Sequence, residues 1–309
     1  ATGRLLSDNV FGTQEQDARR RDFTVNALYY NIRDLSVMDY VGGAADLKQG
    51  VLRVIGDPQS RYREDPVRML RVVRFAARLG FRIEPDTAAP VRALGSLLLQ
   101  VPAARMFDEV LKLFHGGYAQ ETYELLRHHD LFRYLFPLTE ESLAREQEGF
   151  PLVLLPLALA STDARINQDK PVNPAFLFAA LLWEPLRLAM ERRCAAGENE
   201  YTARHAAADQ VLQAQQHQVS IPRRYSVPMR EIWDMQTRFD RRSGRQAQRL
   251  FEHKRFRAAY DFLLLRTQAG EEAQELADWW TRFQEVGPEE RNAMTQALAP
   301  QPGKRRRRT

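Results

Sequence analysis

A single cysteine, Cys194, occurs in the 309 residues. One thiol can neither close an internal disulfide nor build a cysteine-based zinc site, and its isolation fits a reducing, cytoplasmic compartment. Lysine is nearly as scarce: only residues 48, 112, 170, 254 and 304 are lysine, and the other basic residues are arginine. Arginine suits phosphate forks and base stacking better than lysine does, although a GC-rich genome gives the same bias. No apolar run reaches the length of a bilayer span. There is no Walker P-loop, no Gly-x-Gly-x-x-Gly and no Gly-x-Ser-x-Gly elbow, which sets aside P-loop NTPases, dinucleotide enzymes and α/β-hydrolases. His128 and His129 are adjacent, hence on different helix faces, and lack a spaced third ligand. They read as packing or surface residues.

What is present describes an ordinary globular chain with room for two or more domains: 44% hydrophobic and 28% charged residues. The net charge of +5 is equal to the charge of Lys304, Arg305, Arg306, Arg307 and Arg308, so the remainder is neutral overall. With no apolar residue to bury, the tail from 301 to 309 is expected to be disordered. Locally the balance is different. Ile221 to Arg257 holds eleven basic against four acidic residues, with Tyr225, Trp233 and Phe239 interleaved. That pattern fits single-stranded RNA, tracked by phosphate contacts and stacking. Arg223, Arg224, Arg241 and Arg242, with the five basic tail residues, are the RNA-binding candidates. An arginine-laced bundle surface and a solvated tail are the plainer alternatives.

Hydropathy patterning divides the chain unevenly. Alternation predicts strands over 35–40 and 51–55, around a short helix at 44–49, and helical signals run through 13–30. Two strands are too few for a self-sufficient sheet, so this stretch reads as the end of an α/β unit. From Tyr62 onward helices are predicted over 66–79, 86–99, 103–115, 119–128 and 130–136. After a loop or weak helix at 139–149 they resume at 151–162, 173–194, 201–219, 227–241, 244–266 and 270–285. The fold class is mostly α.

The most informative stretch is GDPQSRYREDPVRMLRVVRFAARLGF, Gly56 to Phe81. Asp65 is placed as N-cap, Pro66 at the first helical position and Gly80 as the stop. Met69, Leu70, Val72, Val73, Ala76, Ala77 and Leu79 share one helix face, with Arg68, Arg71, Arg74 and Arg78 opposite. Four guanidiniums on one stripe need anions or open water. Glu64, Asp65 and Arg68 set acceptors and a donor fork around a helix start, an arrangement able to bond a nucleotide's base edge. Tyr62 and Phe75 are candidates for base stacking, with Phe75 equally placed for core. Upstream, RRDFTVNAL (Arg20 to Leu28) sets Asp22 and Asn26 four residues apart, on one face if helical. They could bond a ribose hydroxyl or help hold a metal-bound triphosphate, and the Arg20 and Arg21 guanidiniums beside them are of the type that would face phosphates.

Together these two stretches resemble the diagnostic motifs of class II nucleotidyltransferases, the bacterial poly(A) polymerases and tRNA CCA-adding enzymes. The form of the strand-to-helix junction, the Arg-rich C-terminal region and the basic tail are similar to the poly(A) polymerase branch. The resemblance implies adenylate addition from ATP to the 3′ end of single-stranded RNA with Mg²⁺. It implies an active-centre role for Asp22 and base recognition by Asp65 and Arg68, supported by Glu64. Arg71 and Arg74 would lie along triphosphate or primer. The family's two metal-binding aspartates stand in a Gly-Ser…Asp-x-Asp element, and no Asp-x-Asp occurs here. Apart from Asp22 as a possible ligand, the metal site is therefore expected to be missing, and the chain to be inactive alone. The implied organisation is a remnant of the head domain over 1–57 and a helical neck over 58–138. An Arg-rich helical domain over 139–300 and the tail follow. A CCA-adding enzyme and a non-catalytic RNA-binding module stand as alternatives.

Overall fold

The computed structural model describes residues 12–298 apart from 148, 149 and 152, and the opening loop before Gly12 and the basic tail lie outside them. The chain divides into two compact units between Leu135 and Phe136. Helices dominate both, as the sequence pattern predicts.

Unit 1 begins with α1 (Gln14–Arg20), a 3₁₀ turn (Thr24–Asn26) and a hairpin of β1 (Leu28–Tyr30) and β2 (Val37–Asp39). Next come α2 (Gly43–Gln49), β3 (Val51–Leu52), α3 (Pro58–Glu64), α4 (Val67–Leu79) and β4 (Arg82–Ile83). The unit closes with α5 (Pro85–Ala88), α6 (Val91–Leu94), a 3₁₀ turn (Gly95–Gln100), α7 (Ala103–Phe114), α8 (Ala119–His128) and α9 (Phe132–Leu135). The helical reading of 13–30 fails after Arg20. Phe23 instead bridges Val54, and Ile55 N–H donates to the Asp22 carbonyl at 3.1 Å. Phe23 is fully buried and meets Phe75 edge-on at 5.5 Å, so Phe75 belongs to the core. Tyr62 is also fully buried, its hydroxyl donating to the Thr87 carbonyl at 2.8 Å, and cannot stack on a base. A strand absent from the sequence reading, β4, pairs parallel with β3. It is two residues long, too short for a period to show.

The organising helix α4 forms as its spacing dictates. Its predicted apolar face is buried from Met69 to Ala77, while Leu79 is left exposed, and Gly80 ends it in the left-handed region at φ +64°. The start differs from expectation. Asp-Pro occurs twice, and the first copy makes an extra helix: Asp57 Oδ2 accepts from Ser60 N–H at 2.9 Å, capping α3. Asp65 then closes α3 and its Oδ1 accepts from Val67 N–H at 3.3 Å, while Pro66 precedes α4. Gly43 is required by packing, since a Cβ there would stand 2.1 Å from the Thr24 carbonyl oxygen.

Unit 2 opens with α10 (Pro137–Leu143) and the short pair β5 (Glu146–Gln147) and β6 (Phe150–Pro151). Then follow α11 (Leu154–Ile166), α12 (Pro174–Leu181), α13 (Trp183–Ala195), α14 (Glu200–Gln215) and α15 (Arg223–Gln236). The last four are α16 (Arg245–Phe251), α17 (Phe256–Gln268), α18 (Gln274–Glu285) and α19 (Pro288–Ala297). The predicted helices 173–194 and 244–266 are each two helices, and α19, started by Gly287-Pro288, was not foreseen. Phe239, Phe256, Trp280 and Phe283 centre one core cluster. Buried indoles are satisfied by carbonyls: Trp233 donates to Ala179 and Trp280 to Phe239, both at 3.0 Å.

Candidate functional site

In unit 1 the two sequence motifs meet through one carboxylate. Asp22 sits in the bend after α1, the middle residue of RRDFT, where the Phe23–Val54 bridge turns it towards α4. Its Oδ1 accepts from Arg68 Nε at 2.8 Å and its Oδ2 from Arg71 Nη1 at 2.5 Å. Burial alone would raise the Asp22 pKa. The hydrogen bonds from Arg68 and Arg71 outweigh it and hold the carboxyl below the usual aspartate range. Arg68 Nη1 also donates to Glu64 Oε2 at 3.0 Å and to the Arg61 carbonyl at 2.8 Å. At Arg68 and Arg71 the arginine stripe of α4 is thus not a solvated face, with side-chain exposures of 13% and 29%, whereas Arg78 is exposed.

Arg61 is the second staple. Its Nη2 donates to the Arg20 and Arg21 carbonyls, each at 2.9 Å, and its Nη1 to Glu64 at 2.9 Å. Asp65 does not bond Arg68 through side chains. Its Oδ2 accepts from Arg105 Nη2 of α7 at 2.8 Å. Arg105 was unforeseen because 40 residues separate it from Asp65.

The remaining candidates sort differently. Asn26 lies in the 3₁₀ turn, exposed, and does not share a helix face with Asp22. Arg21 is engaged structurally: it bonds Asp17, donates to the Asn26 carbonyl at 3.0 Å and lies 4.9 Å over the Tyr29 ring. Its expected phosphate-facing role is therefore not supported by its contacts. Arg20 is exposed at the end of α1. Arg74 is half-buried over Phe75 at 4.7 Å, and its Nε is buried without a hydrogen-bond partner. Burial, reinforced by Arg71 and Arg78, lowers its pKa. A guanidinium so placed favours an arriving anion.

In unit 2, Arg223 and Arg224 are exposed at the start of α15 and Arg241 is exposed beyond its end. Arg242 is half-buried 5.6 Å over the Trp279 ring. Two of the three interleaved aromatics are core rather than stacking platforms, because Trp233 and Phe239 are almost fully buried. Their spacing against Met229, Ile232 and Met235 is the helical core period. Several basic residues are neutralised locally, Arg230 by Asp209 at 2.6 Å and Arg255 by Glu231 at 3.0 Å. Lys304 to Arg308 lie outside the described residues.

The helical frame and short sheets are similar in fold to those of solved tRNA nucleotidyltransferases. A solved tRNA nucleotidyltransferase, complexed with a primer tRNA and an incoming ATP analogue, aligns over 90% of this chain and 76% of its own. The TM-score is 0.57 at 22% identity. A Thermotoga maritima CCA-adding enzyme complexed with tRNA aligns over 88% of this chain and 60% of its own, with TM-score 0.54 at 19% identity. At such identities the likeness is one of fold. Sequence is more particular. Residues 4–53 match the family described as "Poly A polymerase head domain", and residues 80–143 "Probable RNA and SrmB- binding site of polymerase A". Residues 196–309 match "Polymerase A arginine-rich C-terminus". Poly(A) polymerase I of Salmonella typhi is 47% identical over 99% of this chain and 67% of its own length. The Escherichia coli O6:H1 protein of that name is 47% identical over 99% of the chain and 66% of its own length. A CCA-adding enzyme of Levilactobacillus brevis is 44% identical, but over only 34% of the chain. The chain belongs to the poly(A) polymerase I family, and it spans about two thirds of the length of these curated relatives.

Proposed function

We propose that this chain is the nucleotide-selecting and RNA-holding part of a polynucleotide adenylyltransferase, which adds AMP from ATP to RNA 3′ ends and so promotes mRNA decay. The observation that carries the reading is the Asp22–Arg68–Arg71 clasp, which joins both motifs of the family resemblance at one place. Asp22 orients the two arginines, and a carboxylate has lone-pair sites left for a ribose hydroxyl. Arg71, the more open of the pair, and the under-satisfied Arg74 receive phosphates. Asp65, held by Arg105 and by Val67 N–H, offers a fixed acceptor to the base edge, with Glu64 and Arg68 behind it. Arg20 and the exposed Asn26 line the approach. Arg223, Arg224, Arg241 and Arg242 contact RNA, as does the basic tail. A cytoplasmic location belongs to the same reading.

ATP chemistry of this class uses Mg²⁺, so residue fit to a cation matters. Both Asp22 oxygens are occupied by guanidiniums, and two arginines repel a divalent ion. Among the described residues no group of three or more His, Cys, Asp or Glu side chains could hold a metal. The residues present do not fit a metal centre, and no step is assigned to one here.

The test is a chimaera in which this chain follows the N-terminal third of the Escherichia coli relative. Asp65→Asn keeps the shape but swaps an acceptor oxygen for a donor. ATP selectivity over CTP, GTP and UTP should fall by roughly 10- to 100-fold, the worth of one charge-assisted hydrogen bond. Unchanged selectivity with a normal melting temperature removes Asp65 from base recognition.

A further inference from the structure

A cavity of mixed character in unit 2 is not part of the site described above. About 430 Å³ in volume, it opens among α13, α14, α15 and the 236–241 segment, within the size range of small-molecule sites. One wall is apolar, made by Trp183, Leu186, Met190 and Trp233. The rim is polar, and most of it is already committed. Arg204 bonds Asp234 at 3.0 Å and Thr237 Oγ1 at 2.5 Å, Arg187 bonds Glu184 and Glu191, and Arg266 bonds Glu271 and Glu272 while covering the Trp183 face at 5.0 Å.

Two adjacent rim groups are uncommitted. Among the described residues, Arg241 has no ion-pair or side-chain hydrogen-bond partner, and the Asp240 carboxylate accepts no hydrogen bond. Desolvation, followed by the charge of Glu272, raises the Asp240 pKa against the nearby charges of Arg242 and Arg266, neither of which hydrogen-bonds it, so the carboxylate gains from a donor brought to it. A donor fork and a lone acceptor beside an apolar wall call for a ligand with an anion, an N–H edge and a flat apolar body.

We propose that this cavity binds one nucleotide with an aminated base, such as an adenylate of RNA. The base packs on the Leu186 and Met190 wall beside the Arg266-covered Trp183, its exocyclic amine donates to Asp240, and its phosphate pairs with Arg241. The site is separate from the Asp22 clasp and does not depend on it.

Its test exploits the tryptophans. The chain has four, at 183, 233, 279 and 280, and all belong to unit 2. Intrinsic fluorescence therefore reports on this unit. AMP titrated into the 309-residue chain should give a saturable change. Purine ribonucleoside 5′-monophosphate, which lacks only the amine, should bind roughly tenfold more weakly. Arg241→Ala should weaken AMP by roughly tenfold or more, and Asp240→Ala should equalise the two ligands. Both residues are at the surface, so folding is spared; Met190→Phe, which fills the cavity, should abolish the signal. The proposal is overturned by the absence of a saturable change in the parent chain, by parent-like AMP binding in all three variants, or by loss with Arg71→Ala but not with Arg241→Ala. Arg71→Ala without effect on the fluorescence, but with weakened use of all four nucleoside triphosphates in the chimaera, supports the two sites as separate.

Discussion

Each unit buries a carboxylate among arginines, and the two come out with opposite proton affinities. Asp22 in unit 1 is 20% exposed and has one guanidinium for each oxygen. It stays ionised below the usual range. Glu184 in unit 2 is only 4% exposed, and Arg187 reaches just one of its oxygens, Oε2 at 3.1 Å. Its Oε1 is buried without a hydrogen-bond partner. Burial is the main cause, Arg187 opposes it and Glu271 adds to it, and the pKa is pushed up to about 7. The difference is one of burial and of coordination, since two guanidiniums answer Asp22 and only one answers the more deeply buried Glu184. A carboxylate stays charged when both oxygens are answered, and takes a proton when one faces a second acid in a dry interior.

The largest break in this comparison is expected from Asp22→Ala. It strands Arg68 and Arg71 against each other at 13% and 29% exposure. Removing one partner of a buried pair costs about 3–5 kcal/mol, and partial exposure places this case nearer ~2–3 kcal/mol. Calorimetry should show it as a lowered transition for unit 1. The same variant carries a pH signature. Because the folded pKa of Asp22 is depressed, its contribution is present above the unfolded value of 3.8 and lost as pH falls below it. The variant should therefore lack part of the parent's acid-side loss of stability.

Glu184→Gln should act in the opposite window. A raised carboxyl pKa means the folded state binds the extra proton, so the parent loses stability as pH rises from 4.5 towards about 7. At roughly 1.4 kcal/mol per pKa unit the slope integrates to on the order of 3 kcal/mol. Gln removes the charge, so denaturant midpoints should be nearly flat over that window, and a preserved slope would assign the titration elsewhere. The smallest effect is expected from Arg105→Ala. Its pair with Asp65 is 43% and 20% exposed, so stability should drop by only ~0.5–1 kcal/mol. In the chimaera its effect should appear as reduced ATP selectivity, because Asp65 is held less firmly. A melting-temperature loss with intact selectivity would make Arg105 purely structural.

How much of this was legible follows the range of each interaction. The core face of α4, its Gly80 stop and α7 and α8 are local, and periodicity finds them. The two motifs were legible as chemistry, but their joint geometry was not, since 46 residues separate Asp22 from Arg68 and 49 from Arg71. No local period encodes such pairings. The Asp-Pro signal was read at its second copy, although the first caps a helix, because the dipeptide states that a helix starts and not how soon it ends. Trp233 and Phe239 misled for another reason. A basic segment with aromatics resembles a stacking surface until their helical register assigns them to the core.

The grip of Arg61 on the Arg20 and Arg21 carbonyls has a consequence for how unit 1 tolerates being cut. Between the stapled ends the chain loops out through the β1–β2 turn, where Ile32 is 81% and Leu35 69% exposed and Asn31 N–H closes the turn on the Ser36 carbonyl at 2.9 Å. A protease nick between Asn31 and Ser36 leaves Asp22, Phe23 and the Arg20–Arg21 carbonyls on one piece and their partners on the other. The two pieces are expected to co-elute as one particle on gel filtration under native conditions and to separate in urea. Unit 1 is in this sense a natural split protein, its two pieces complementary through charge and the aromatic pairs Phe23–Phe75 and Tyr29–Tyr40.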